Sequence, residues 1–69
     1  MNAKLYVVRR EKGLKQKEVA NLLGIHPQTY HLKEKGKEHF TIPEALMVAR
    51  IMGVTLNDLF WESSEEVVG

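Results

Sequence analysis

Apolar residues recur along this chain at intervals of three and four rather than two, and most of the stretches that show the spacing are closed by a glycine. Leu5 and Val8 mark a first segment, Lys4 to Lys12. Val19, Ala20 and Leu23 mark a second, Gln16 to Leu23. A third opens at Pro27, whose missing N–H suits a first helical turn, and runs to about Lys35. In the fourth, Ile42, Ala45, Leu46, Ala49 and Met52 share a face behind a capping-box pattern, Thr41 with Glu44. Thr55 with Asp58 repeats that signal more weakly before a short fifth segment carrying Leu56, Leu59 and Phe60. Gly13, Gly24, Gly36 and Gly53 follow the first four, where a helix end asks for positive φ. No period-two alternation is sustained, and Val67-Val68 is too short for a strand. The pattern predicts an all-α chain of five short helices, with one domain over residues 1–61 and an acidic tail over 62–69.

The second and third helices, about eight residues each, meet across Gly24. Ala20 is small where they would cross, Ile25 is placed to plug the core, and Tyr30 faces back from the third helix. This is the geometry of a helix-turn-helix. A plain helical hairpin satisfies the same spacing, so the pattern alone leaves both open.

Composition narrows the function classes. With 69 residues, 43% hydrophobic and 28% charged, the chain is globular but its core is thin, so association with a partner would add stability. It has no cysteine, hence no disulfide or thiolate metal site. The longest apolar run, Ala45 to Ala49, falls far short of the roughly 20 residues of a membrane span, and the basic start lacks a signal-peptide core. A soluble, unexported, cytoplasmic protein is expected. Charge is unevenly spread: all ten Lys and Arg lie between Lys4 and Arg50, against five carboxylates there, while Asp58, Glu62, Glu65 and Glu66 make the end acidic. Such a separation can turn one attractive face to a polyanion; an ordinary solvated surface is the plainer alternative.

Catalysis finds no support in the residues. His26, His31 and His39 lack HExxH-like spacing, and the first two, five apart on a helix, diverge by about 140°. There is no cysteine nucleophile, no Ser-His-Asp arrangement, no P-loop and no GxGxxG. No enzyme, metal or cofactor is expected.

The blocks VVRREKGLKQKEVANLLGI, TYHLKEKGK and GVTLNDLF, spread over Leu5 to Phe60, resemble the Cro/CI-type (Xre) helix-turn-helix regulators. The resemblance implies a five-helix bundle of the lambda-repressor-like type, with the third helix in the DNA major groove of an approximately palindromic operator, usually bound by a homodimer. It implies a phosphate contact for Gln16, base reading by residues near the start of the third helix, and an ion pair between Arg9 and Glu34. Three positions depart from the family pattern. Lys15 and His26 stand where Ser or Thr commonly caps the second and third helices, so less rigid helix starts are expected. Lys33 occupies a usually apolar position, its stem expected along the core and its ammonium in water or on a phosphate. Phe40 replaces a loop proline.

Read with the resemblance, the stretch from Gly24 to Gly36 resolves into roles. Gln28 is the first choice as a base reader, since its amide can pair both N6 and N7 of adenine. Pro27 and Leu32 can only offer apolar contact to thymine methyls; Thr29 can touch backbone or a methyl. His31 and His26 can donate to a base edge or a phosphate, or simply be exposed polar residues. Lys15 and Lys17 flank Gln16, and Lys35 and Lys37 follow the third helix, all placed for phosphates. Tyr30 belongs to the inward side. Leu56, Leu59, Phe60 and Trp61 are the candidate dimer interface, with core closure as their alternative. The expected function is a sequence-specific DNA-binding repressor that binds double-stranded DNA as a homodimer. The alternative is a protein-interaction module, such as an antitoxin with a toxin partner.

Overall fold

Each helix of the protein sends at least one apolar side chain to a common centre. In the computed structural model, which describes residues 3–60, these helices are α1 (Ala3–Glu11), α2 (Gln16–Leu23), α3 (Pro27–Glu34), α4 (Ile42–Met52) and α5 (Leu56–Phe60). Leu5 of α1, Val19 and Ala20 of α2, Tyr30 of α3, Val48, Ala49 and Met52 of α4, and Leu59 of α5 form the buried core. Burying a side chain such as Leu5 or Leu59 contributes about 1.5–3 kcal/mol. Val8, Leu14, Leu23, Ile25 and Leu56 close around it. The fold is the all-α, five-helix, lambda-repressor-like bundle that the periodicity and the resemblance led us to expect. The tail from 62 to 69 and Trp61 lie outside the described residues.

Local chemistry sets the helix ends. Thr41 N–H donates to Glu44 Oε1 at 2.8 Å while Glu44 N–H donates to Thr41 Oγ1 at 3.2 Å, a complete capping box. Thr55 and Asp58 make the same exchange at 3.0 and 3.2 Å. Between α2 and α3 the chain reverses at Gly24, φ 75°, where Ile25 N–H bonds back to the Ala20 carbonyl at 3.0 Å. A Cβ added at Gly24 would meet nothing within 4 Å. The residue is required by its backbone conformation rather than by lack of space.

The third-helix start differs from expectation. His26 is not a missing cap: its Nδ1 accepts from Gln28 N–H at 3.1 Å, the role a serine oxygen plays elsewhere. At α2 only half of a box forms, since Glu18 Oε1 accepts from Lys15 N–H at 2.7 Å and a lysine side chain has no acceptor to return.

Lys33 and α4 also depart from the sequence reading. The Lys33 ammonium does not reach out to water or a phosphate; it donates to the His39 carbonyl at 2.7 Å, pairs with Glu44 at 3.1 Å and lies 5.9 Å from the Phe40 ring centroid. It ties α3 to the loop before α4. Phe40 fills the position of the absent proline by edge-on contacts to Tyr30 and Phe60, with centroids 5.9 and 5.5 Å apart. On α4, Ile42 and Leu46 are not core residues: they are 75% and 50% exposed, and Met47 is 43% exposed. Of the expected face Ala49 and Met52 are buried, and Val48 joins them.

Candidate nucleic-acid interface

The two sides of α3 are built from different materials. Tyr30 and Glu34, four apart and therefore on one face, are both buried. Glu34 is an ion in the interior, and every acceptor direction it has is used. Arg9 Nε donates to its Oε2 at 2.8 Å and Arg9 Nη2 to its Oε1 at 3.1 Å. Tyr30 Oη donates to Oε2 at 2.7 Å and Gln16 Nε2 to Oε1 at 2.9 Å. The remaining arm of Arg9, Nη1, donates to the Leu14 carbonyl at 2.7 Å. A buried charge is tolerable when it is paired and hydrogen-bonded in this way.

These contacts decide the protonation states. Burial pushes the Glu34 carboxyl up, but the hydrogen bonds from Arg9, Tyr30 and Gln16 together outweigh it and hold the group below the ordinary glutamate value. Hydrogen bonding to Glu34 raises Arg9 against its own burial. Burial first, then the bond to Glu34, raises the Tyr30 phenol, which stays protonated as a donor. Arg9 of α1, Gln16 of α2 and Tyr30 and Glu34 of α3 thus form one fixed polar junction. It contains the ion pair that the resemblance implied, and the phenol of Tyr30 is turned inward.

The other side of α3 faces water. Pro27 and Gln28 are exposed, and Thr29, His31 and Leu32 are half-buried. Gln28 and Leu32, also four apart, share the outward side. His26 is exposed at the helix start beside them. His31 leans toward α2, its Nδ1 3.1 Å from Gln16 Oε1. Lys17 and Pro27 border one open groove together with Glu18, Asn21 and Ile25, so the starts of α2 and α3 lie side by side. Lys15 and Lys17 are exposed at that end. Lys35 and Lys37 are exposed at the far end of α3, where their backbone N–H groups bond to the His31 and Leu32 carbonyls at 3.0 and 2.9 Å. Cationic side chains therefore bracket the outward face, and Arg9 cancels the one carboxylate behind it. Exposed cations at both ends with adaptable groups between make an arrangement suited to a duplex groove.

Two features escaped the sequence reading. The Gln16 amide is engaged at both ends, by His31 and by Glu34, and one hydrogen of its NH2 group remains for an outside acceptor. Contacts between residues 15 and 18 apart in sequence leave no spacing signal. The other is the exposure of Ile42 and Leu46 on α4, since periodicity shows an apolar face but not its cover. For the α5 residues Leu56, Leu59 and Phe60 the packing follows the alternative reading, core closure: Leu59 is wholly buried, and Leu56 and Phe60 are half-buried against the core. Leu59 cannot meet a partner from there.

Comparison with known proteins agrees with this geometry. A family model described as helix-turn-helix, the Cro/CI-type (Xre) group, matches residues 5–59. An uncharacterized HTH-type transcriptional regulator of Archaeoglobus fulgidus is 30% identical over 69 residues, spanning 100% of this chain and 99% of the relative. A second such regulator, from Methanocaldococcus jannaschii, is 33% identical over 66 residues, 96% of this chain and 100% of its own. The chain belongs to the Cro/CI-type (Xre) family of helix-turn-helix transcriptional regulators, a DNA-binding family and not an enzyme class.

Proposed function

We propose that the protein is a repressor that binds an approximately palindromic operator as a homodimer, each copy seating α3 in the major groove. The observation that carries this is the division of α3: Tyr30 and Glu34 fix its inner side while the side chains of Gln28 and Leu32 stay uncommitted between pairs of lysines. Gln28 is the principal reader, with Pro27, Thr29, Leu32 and His31 beside it. Gln16, Lys15, Lys17, His26, Lys35 and Lys37 hold phosphates. Repression needs only occupancy of the operator, and the reading places the protein in the cytoplasm with the DNA. No helix of the described residues is long and apolar enough to cross a membrane.

For the dimer, the supporting surface is the exposed stripe of Ile42 and Leu46 on α4, with Met47 to one side of it, rather than the α5 residues. A two-fold partner there is to set the paired α3 helices about 34 Å apart, one turn of DNA. The same stripe supports the second reading, in which this fold holds a protein partner as an antitoxin does.

Fluorescence anisotropy on a duplex from upstream of its own gene, against a scrambled duplex at two salt concentrations, tests the reading. Preference for the native duplex that survives added salt is the expected result. Equal, salt-sensitive affinity for both means a contact with phosphates alone, and no binding at low salt turns the proposal over to the protein-partner reading.

A further inference from the structure

The two histidines of the α3 region are held through the same ring nitrogen in opposite senses. Gln28 N–H donates to Nδ1 of His26. A backbone amide only donates, so this nitrogen carries no proton and the neutral ring carries it on Nε2.

For His31 the argument runs outward from the core. Glu34 is ionised and only accepts, so the end of the Gln16 amide turned to it at 2.9 Å is the NH2 group. The amide oxygen is thereby left facing His31 Nδ1 at 3.1 Å. An amide oxygen only accepts. Nδ1 of His31 is therefore the donor, and in the neutral ring Nε2 has a free lone pair. Among the described residues no buried side-chain nitrogen or oxygen lacks a partner, and the His31 ring bonds there through Nδ1 alone, so its Nε2 is open to solvent.

We propose that His31 reads an amine on a base edge, N4 of cytosine or N6 of adenine, by accepting through Nε2, with Gln16 as the positioning residue that fixes its tautomer. This rests on the reading of α3 as the DNA-facing helix. In the major groove only cytosine and adenine present such donors, whereas guanine offers O6 and N7 and thymine O4, all acceptors that meet the lone pair unfavourably. Glu34, two residues removed from contact with the base, selects the base type through a chain of two hydrogen bonds. His26, holding its proton on Nε2, has the opposite polarity and suits a phosphate oxygen.

Two experiments test the proposal. In the free protein at about pH 8, where an ordinary imidazole is neutral, two-bond proton–nitrogen spectra should place the ring proton of His31 on Nδ1 and that of His26 on Nε2. Gln16→Leu should release the His31 tautomer and leave His26 unchanged; a wild-type His31 protonated on Nε2 overturns the proposal. In selection from a randomised duplex library at the same pH, one position per half-site should favour cytosine or adenine by roughly three- to tenfold. His31→Ala should flatten that position alone, and Gln16→Leu should blunt it while lowering binding to all sequences. Guanine or thymine at the position that His31→Ala flattens, or no position flattened while the others persist, overturns the proposal. A wild-type protein that enriches no sequence overturns the DNA-reading role of α3, a failure distinct from one confined to a single position.

Discussion

The inner and outer sides of α3 share eight residues and obey opposite rules. Inside, Glu34 accepts four hydrogen bonds from three residues on three helices, and Tyr30 is fully buried over it. Outside, Gln28 is exposed and Leu32 half-exposed, their side chains free of the polar junction. A reading helix needs both properties. Its angle to the groove has to be fixed by the body of the protein, because misplacement beyond about 0.5 Å weakens a bidentate contact. Its outward groups have to remain unspent, because a side chain already bonded to protein gives up that bond to meet a base.

The largest effect is expected on the inner side. Removing the carboxylate with Glu34→Ala strands Arg9 in a buried site, at a cost of about 3–5 kcal/mol, and should lower the melting temperature by at least about 12 °C in a domain of this size. A variant that melts like the wild type would show that the junction does not hold α3. Acid probes the same group without substitution. Because the folded protein holds Glu34 below its ordinary value, the unfolded chain takes up this proton first, so the stabilisation is complete above about pH 4.3 and is lost as pH falls through the lower folded value. Glu44, lowered by the Thr41 backbone N–H, acts in the same direction. Melting followed between about pH 6 and pH 2 should show a steep fall in the wild type and a shallower one in Glu34→Gln. Equal slopes would place the acid sensitivity elsewhere.

His26 lies on the boundary between the two sides. Its cap on Gln28 N–H makes His26→Ala a stability variant of about 0.5–1 kcal/mol, while loss of the proposed phosphate contact should weaken binding to all duplexes alike. Thermal melting and titration of one duplex separate the two effects. Lys35→Ala, wholly on the outer side, should leave melting within about 0.5 kcal/mol of the wild type and reduce the slope of log affinity against log salt by about one. An unchanged salt slope would remove Lys35 from the phosphate set.

Helix positions, both capping boxes and the inward place of Tyr30 were legible in the sequence because they depend on neighbours three or four residues away. The Arg9–Glu34 pair came from the resemblance, since no local rule links positions 25 apart. What the sequence concealed depends on side chains that choose between partners. Lysine at position 33 has a stem long enough to run outward or to fold over Phe40, and only the placement of His39 and Glu44 decides it. An imidazole can cap a helix or be capped, so neither ring's proton was readable from spacing. The apolar spacing of α4 includes Ile42 and Leu46, yet the bundle buries Val48, Ala49 and Met52 and leaves those two exposed.

The division of α3 is tested most directly by melting and titrating a single variant, Gln28→Ala, side by side with the wild type. Stability unchanged within about 0.5 kcal/mol, together with loss of roughly 1–3 kcal/mol of preference between the best and the scrambled duplex, is the result that two independent sides require. A lowered melting temperature with preference intact would contradict it, placing Gln28 with the scaffold and the reading of DNA elsewhere.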